Sequence, residues 1–138
     1  MAVQVIPDCE AIIIPYLYNH PDLVALDARV ASQLPATFTR PWVKATQLNA
    51  RNHPSSPAEH LITYSMQFDC YAGSTGGQAE ANLLSRTVRA VLHALPQATV
   101  SGAVVSRVTF TTHMRLPDDS FEPARERYVI DAEVTLHA

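Results

Sequence analysis

Six histidines are the residues of this chain best suited to metal or proton chemistry, and they stand singly along its 138 residues. They are His20, His53, His60, His93, His113 and His137. A zinc site needs ligand atoms that converge at about 2.0–2.3 Å, and zinc motifs such as HExxH place them at short spacings. No such spacing occurs here, so we expect no metal site.

The segment 73–77, GSTGG, is the next candidate, because a glycine-rich loop before a helix can bind phosphate. It lacks the lysine of the GxxxxGK[ST] motif and the spacing of GxGxxG. We interpret it as a turn with Ser74 or Thr75 near the cap of the following helix, and we expect no cofactor.

Nucleophilic catalysis needs a cysteine or serine beside a positioned base. Cys9 and Cys70 both fall in apolar patterns, where burial raises the pKa of a thiol, and no CxxC motif is present. Asp118 and Asp119 are a possible carboxylate pair, but prolines flank them, which favours a solvated turn. We therefore expect free, unreactive thiols and no enzymatic activity.

Composition narrows the function classes further. Only 17% of the residues are charged, against about 25% in a typical globular protein. The net charge is −3 and the basic residues are scattered, so there is no footprint for nucleic acid binding. The N-terminus lacks the pattern of a signal peptide, and the apolar run Ala11–Ile14 is far shorter than the ~20 residues of a membrane span. We expect a protein made and kept in the cytoplasm or in something assembled there.

Three helices are predicted to position these side chains. Asp8 can cap a first helix, in which Pro15 is expected to cause a kink or an early end. A short second helix is predicted from Pro21 to Leu26. The range Gln78–Leu95 has apolar residues at helical spacing and is followed by Pro96, which predicts a long helix.

Five strands are predicted, and the clearest is His60–Tyr71, where apolar and polar residues alternate from Ile62 to Cys70. The other four are Arg29–Leu34, Trp42–Leu48, Val100–Thr112 and Arg127–Leu136. The order of elements predicts a single α+β domain over residues 1–138, with a mixed, largely antiparallel sheet of about five strands and two main helices packed on one face.

Two long loops, Asn49–Glu59 and Leu116–Ala124, are the candidate binding segments, because binding residues often lie on loops held by a rigid scaffold. The alternative is that they are plain surface connections. Seven candidate interface residues come from these loops or directly beside them, and two more come from the last strand. The nine are Arg51, Asn52, His53, Glu59, Arg115, Asp118, Asp119, Asp131 and Glu133.

The succession of segments resembles the tail terminator proteins of long-tailed, siphovirus-type phages of actinobacterial hosts. The segments are IPDCEAIIIPYLYNHPDLVAL, RVASQLP, PWVKAT, FDCYA, QAEANLLSRTVRAVLHALP and RYVIDAEVTLHA, and together they cover nearly the whole chain. The individual motifs are core patterns, and their order and spacing carry the resemblance.

The resemblance implies a structural protein without cofactor or enzymatic activity. Tail terminators form a ring, typically of six copies, on the last ring of the tail tube, and they provide the surface that joins the filled head. The partners implied are the major tail tube protein and a head-completion or neck protein. DNA passes through the lumen without being read by sequence. The location implied is the head–tail junction of the virion, after assembly in the host cytoplasm.

Two other readings remain open: a neck or head-closure connector of similar size, and a small cytoplasmic ligand-binding or enzyme domain. A ring needs a heterologous interface that closes by rotation. The polar face of Arg127–Leu136 or the edge at Arg29–Leu34 is a hypothesis for that interface. Asp131 and Glu133 are expected to face a lumen, a hypothesis that fails if the hydrophobic core contains them.

Overall fold

A mixed β-sheet with helices against one face forms the body of the protein in the computed structural model, which describes residues 6–52, 61–96, 99–100 and 103–137. The three helices are α1 (Cys9–Asn19), α2 (Pro21–Val24) and α3 (Gln78–His93). The strands are β1 (Arg29–Ala31), β2 (Trp42–Asn52), β3 (Ile62–Tyr71), β4 (Thr99–Val100), β5 (Ala103–Arg115) and β6 (Arg127–His137). The predicted α+β fold class is confirmed, with a very short β4 added before β5.

Strand order in the sheet is β1-β2-β3-β6-β5-β4. The pair β1–β2 is parallel and the other four pairs are antiparallel, as expected for a mixed, largely antiparallel sheet. The strand β6 lies between β3 and β5 and is paired with both along nearly its whole length. The predicted strand Arg127–Leu136 therefore has no edge to offer, and only its outer face is available.

Local sequence signals place the helices well. The Asp8 carboxylate accepts a hydrogen bond from the Ala11 N–H at 3.2 Å, which is the predicted cap of α1. Of the two outcomes expected at Pro15, a kink or an early end, the early end does not occur, because α1 continues to Asn19. Its ring lies in a helix whose other side chains bury against the sheet, and this tertiary packing outweighs the lost backbone bond. The predicted turn is present at Ser74 and Thr75, and the cap of α3 is Gly77, without a side-chain bond.

The hydrophobic core lies between the sheet and the helices. From β3 it takes the alternate residues of the predicted apolar face, which are Ile62, Tyr64, Met66, Phe68 and Cys70. The helix α3 buries Leu84, Val88, Val91 and Leu92 over β3 and β6. Each fully buried side chain of this size stabilises the fold by about 1.5–3 kcal/mol.

The sheet face opposite the helices, here called the open face, is polar. On its two central strands it consists of Thr63, Ser65, Gln67 and Asp69 from β3 and of Val129, Asp131, Glu133 and Thr135 from β6. No helix of the described residues packs on it. Thr63, Asp69 and Thr135 are nevertheless only 3%, 4% and 6% exposed, because neighbouring strands and side chains cover them. The open face is thus a close-packed polar surface.

The loops differ from their predicted bounds. The strand β2 extends to Asn52, with an irregularity between Gln47 and Asn49 that leaves Leu48 56% exposed. The first four residues of the predicted loop Asn49–Glu59 are therefore strand, and residues 53–60 lie outside the described residues. The strand β5 reaches Arg115, three residues beyond its predicted end. Among the described residues, no helix has the length and apolar character needed to cross a membrane.

Candidate interaction surface

One end of the open face is closed by two segments, residues 32–41 and 116–126, here called the end loops. Arg125 holds them together. Its guanidinium lies 4.1 Å from the ring centroid of Phe38 and 5.3 Å from that of Phe121. It also donates hydrogen bonds to the backbone oxygens of Phe38, at 3.1 and 3.2 Å, and of Ala72, at 3.3 Å. This one side chain therefore links the two end loops to each other and to the residue that follows β3.

Asp118 is a second anchor of the end loops. Its carboxylate accepts hydrogen bonds from the Tyr71 hydroxyl at 2.8 Å and from the N–H and hydroxyl of Ser120 at 3.0 and 2.6 Å. Burial raises the pKa of Asp118, but the bonds from Ser120 and Tyr71 and the charge of Arg127 outweigh it and lower that pKa below its usual value. The prediction of a solvated turn is wrong for Asp118, whose side chain is 16% exposed, and correct for the exposed Asp119.

Arg115 ends β5 beside these loops and forms a two-pronged ion pair with Glu126, at 3.0 and 2.6 Å. The pair lowers the pKa of the Glu126 carboxyl. Arg115 is thus engaged within its own chain, and its guanidinium is partly committed before any partner arrives.

A serine and a histidine meet between α3 and β5 in a way that invites comparison with a hydrolase. The Ser85 hydroxyl donates to the Asn82 carbonyl oxygen at 2.8 Å, and His113 Nε2 lies 2.9 Å from Ser85 Oγ. The Arg89 guanidinium lies 3.3 Å from His113 Nδ1. A guanidinium only donates, so Nδ1 accepts and Nε2 carries the proton.

His113 therefore donates to Ser85 and cannot take its proton. Burial and the charge of Arg89 both lower the pKa of His113, and Ser85 is fully buried. A catalytic triad places an acceptor carboxylate behind the histidine, whereas this arrangement places a cation there. The contact links α3 to β5, and no local sequence pattern predicts it because the two residues are 28 positions apart.

The loop 73–77 is filled by its own chain. The Gly73 N–H donates to the Glu80 carboxylate at 2.5 Å, and a side chain added at Gly76 would collide with that carboxylate. The place that a phosphate would take is therefore occupied by an internal anion. Cys9 and Cys70 are buried and unpaired, and burial is the main cause that raises the pKa of each thiol, to about 12 for Cys9. In the described part of the chain, no three metal-ligating side chains converge.

Three of the nine sequence candidates share the open face. Arg51 on β2 forms an ion pair with Glu133 at 3.0 Å, and both side chains are more than a third exposed. Asp131 lies two residues away on the same face, and its Oδ1 atom is buried without a hydrogen-bond partner. Asp131 and Glu133 are thus outside the hydrophobic core, so the condition set for the lumen hypothesis is met.

The remaining candidates do not join this group. Arg115, Asp118 and Asp119 lie at the end loops, about 20 Å along the strands from Glu133 at the usual rise of 3.3 Å per residue. Asn52 is the last residue of β2. His53 and Glu59 lie outside the described residues. The seven candidates within the described residues therefore mark two separate regions at opposite parts of the sheet, and none of the candidates is Arg125, whose partners come from distant loops.

Comparison with known proteins places the chain in a family. No curated protein matches it at a significant level. The family model described as tail completion protein gp17 matches residues 13–134. This range includes part of α1 and of β6 and all of the other helices and strands. This match over most of the chain leads to one conclusion: the chain belongs to the tail completion protein gp17 family and has a structural role in a phage tail.

Proposed function

We propose that this protein is a tail terminator, which forms a ring of six copies on the end of the tail tube and presents the surface to which the filled head joins. The observation that carries the proposal is the open face, in a chain that belongs to a tail completion family. It is polar, close-packed and uncovered by any helix of the described residues, and its strands lie side by side as the wall of a channel would.

The charge of the open face suits a channel for DNA. Its two central strands carry Asp69, Asp131 and Glu133, and their only basic side chains, Arg127 and His137, lie at the ends of β6. Duplex DNA carries about one negative charge per 1.7 Å of its axis. The flanking strands place Lys44 opposite Asp69, Arg51 in an ion pair with Glu133, and Arg107 opposite Thr135 on the same face. Acidic and basic side chains are thus interspersed, and no cluster of basic residues among those that the structure describes offers the phosphates a strong binding site.

The two ends of the strands give the ring two different faces. The end loops lie at one end, next to Tyr71 and Arg127. The connection between β2 and β3 follows Asn52 at the other end. If the open face lines the lumen, one of these ends meets the tube protein and the other meets the head-completion or neck protein. Interface contacts of this kind are expected at exposed loops carried on a rigid sheet.

The test is to mix the purified protein with isolated tail tubes that lack it and with filled heads, and to image both by electron microscopy. We expect rings on the ends of tubes and a particle of about 90 kDa, six times the chain, as closed cyclic symmetry requires. Binding to heads in the absence of tubes would instead support a neck connector. The proposal would be refuted if the protein formed no rings and did not bind to the ends of the tubes.

A matched pair of variants tests the channel. Asp131→Lys and Glu133→Lys together place two positive charges on the open face, whereas Asp119→Lys and Glu122→Lys place them on an end loop. Both double variants should assemble into virions. If the open face lines the lumen, only virions with the first double variant should show abnormal DNA retention or ejection. Equal DNA ejection by both would contradict the assignment.

A further inference from the structure

Each outer edge of the sheet is paired with a further strand over only part of its length. The short β1 pairs with β2 along Trp42–Lys44 and leaves Ala45–Asn52 without a strand beside it, here called the β2 free edge. The short β4 pairs with β5 along Ala103–Val104 and leaves Ser106–Arg115, here called the β5 free edge. Both statements concern the residues that the structure describes. Open backbone donors and acceptors of this kind are templates for another strand.

The two free edges run in opposite directions. The pairs β2–β3, β3–β6 and β6–β5 are all antiparallel, so three reversals separate β2 from β5. A second copy placed beside the first with its strands in the same sense would therefore set its β5 antiparallel to β2. We propose that adjacent copies join by this pairing, the β5 free edge of one copy adding to the β2 free edge of the next. The proposal rests on the ring proposed above.

The joint is heterologous, as a ring requires, because two different edges meet. The covered stretches lie at opposite ends of the sheet: β1 is level with Tyr71 and Arg127, whereas β4 is level with His137. The two free edges lie at the same level, because the pairings through β3 and β6 align both of them with the stretch of β6 between Tyr128 and Leu136. Copies placed side by side therefore bring the two free edges together without displacement along the strands.

Exposed apolar side chains gather at the same two edges. Among the described residues, six large apolar side chains are exposed, and three of them are Leu48 (56%) in the β2 free edge, Met114 (48%) in the β5 free edge, and Leu116 (45%) directly after it. Long edges with exposed apolar residues are a liability for a monomer, and proteins usually protect them. Pairing the edges of two copies would cover these side chains.

Charge is complementary across the proposed joint. The Glu10 carboxylate lies at the β2 free edge, where it accepts a hydrogen bond from the Gln47 N–H at 2.7 Å. The β5 side carries the exposed Arg89 of α3, whose guanidinium stacks on Phe110 at 4.6 Å on the same side of the sheet. Because Glu10 already occupies the Gln47 donor, Leu48–Asn52 is the part of β2 that pairs.

The test is disulfide cross-linking between copies assembled on tail tubes. Leu48→Cys is combined in turn with Arg107→Cys, Thr109→Cys, Thr111→Cys or Met114→Cys, so that the register is scanned. Paired residues on adjacent strands have Cβ atoms about 4.5–5.5 Å apart, close to the distance that a disulfide needs. The native cysteines are buried and stay in place. We expect at least one pair to give, on oxidation, a ladder from dimer up to the full ring.

Two controls are matched to this design. Leu48→Cys alone should give no dimer, because in a heterologous joint Leu48 does not meet its own copy. Leu48→Cys with Leu83→Cys, an equally exposed position on α3, should give no ladder. Rings that form without a ladder from any of the four pairs would overturn this inference and leave the proposed function standing. Dimers of the single variant would overturn it as well. Failure to form rings or to cap tubes would refute both.

Discussion

Arg125 offers the sharpest test of how the end loops are held. We consider Arg125→Met, which keeps most of the aliphatic stem and removes the guanidinium. The variant loses the contacts of that group with Phe38 and Phe121 and its hydrogen bonds to the backbone oxygens of Phe38 and Ala72. The two oxygens and the two rings come from different parts of the chain, so no local rearrangement can replace the cation.

The magnitude follows from these contacts. A cation over an aromatic ring contributes about 0.5–2 kcal/mol, depending on how far it is desolvated. Hydrogen bonds from a charged donor contribute about 1.5–3 kcal/mol. These contributions overlap in one side chain and do not add, and methionine retains some packing. We expect the free energy of unfolding to fall by about 2–4 kcal/mol, which lowers Tm by about 10 °C in a domain of this size.

Thermal unfolding followed by circular dichroism measures the effect. The control is Arg86→Met, the same substitution at an exposed position of α3, where the guanidinium bonds only Asn82. Its expected cost is below about 0.5 kcal/mol, as for most surface substitutions. A double-mutant cycle of Arg125→Met with Phe121→Leu should give a coupling of at least about 0.5 kcal/mol. If Arg125→Met lowers Tm no more than Arg86→Met, the role assigned to Arg125 is refuted.

Three further predictions concern other parts of the molecule. Asp118→Asn should destabilise the protein at neutral pH. Because folding lowers the pKa of Asp118 below its usual value of about 3.8, its carboxylate stabilises the fold above that pH, and this stabilisation is lost as the pH falls through the lowered pKa. The free energy of unfolding of Asp118→Asn should therefore depend less on acid pH than that of Asp119→Asn. A double-mutant cycle of Arg51→Ala and Glu133→Ala, read by urea unfolding, should give no more than about 1 kcal/mol, because both side chains are exposed; a larger value would mean that the pair is buried in solution. The two native thiols should resist a thiol reagent such as DTNB in the folded protein and react once it unfolds, and rapid labelling of the native state would contradict their burial.

Much of the fold follows from local signals. The alternation in β3 predicts its buried face because the side chains of a strand point to opposite sides with a period of two. The apolar spacing of α3 and the cap at Asp8 are equally local, and the structure confirms them. The ends of the helices are harder to predict. The helix α1 continues past Pro15 because it packs against the sheet, and α2 ends before Leu26, close to Asp27 in the left-handed conformation.

The features that the sequence did not predict depend on contacts between residues far apart in the chain. The position of β6 inside the sheet joins residues more than 55 positions apart, such as Tyr71 and Arg127, and no local pattern encodes it. The anchoring of Asp118 depends on Tyr71, and the stacking of Arg125 depends on Phe38. Asp118 was read as a solvated acid because prolines surround it, although a strand 47 residues earlier supplies its hydrogen-bond partner.

The central position of β6 has a consequence for how the chain folds during synthesis. Residues that emerge first from the ribosome include β2 and β3, and β5 follows, but the strand that unites these two halves is made after both. Until then each half exposes a long inner edge, and contacts of such large sequence separation form slowly. A nascent chain therefore cannot present two opposed outer edges at a fixed spacing.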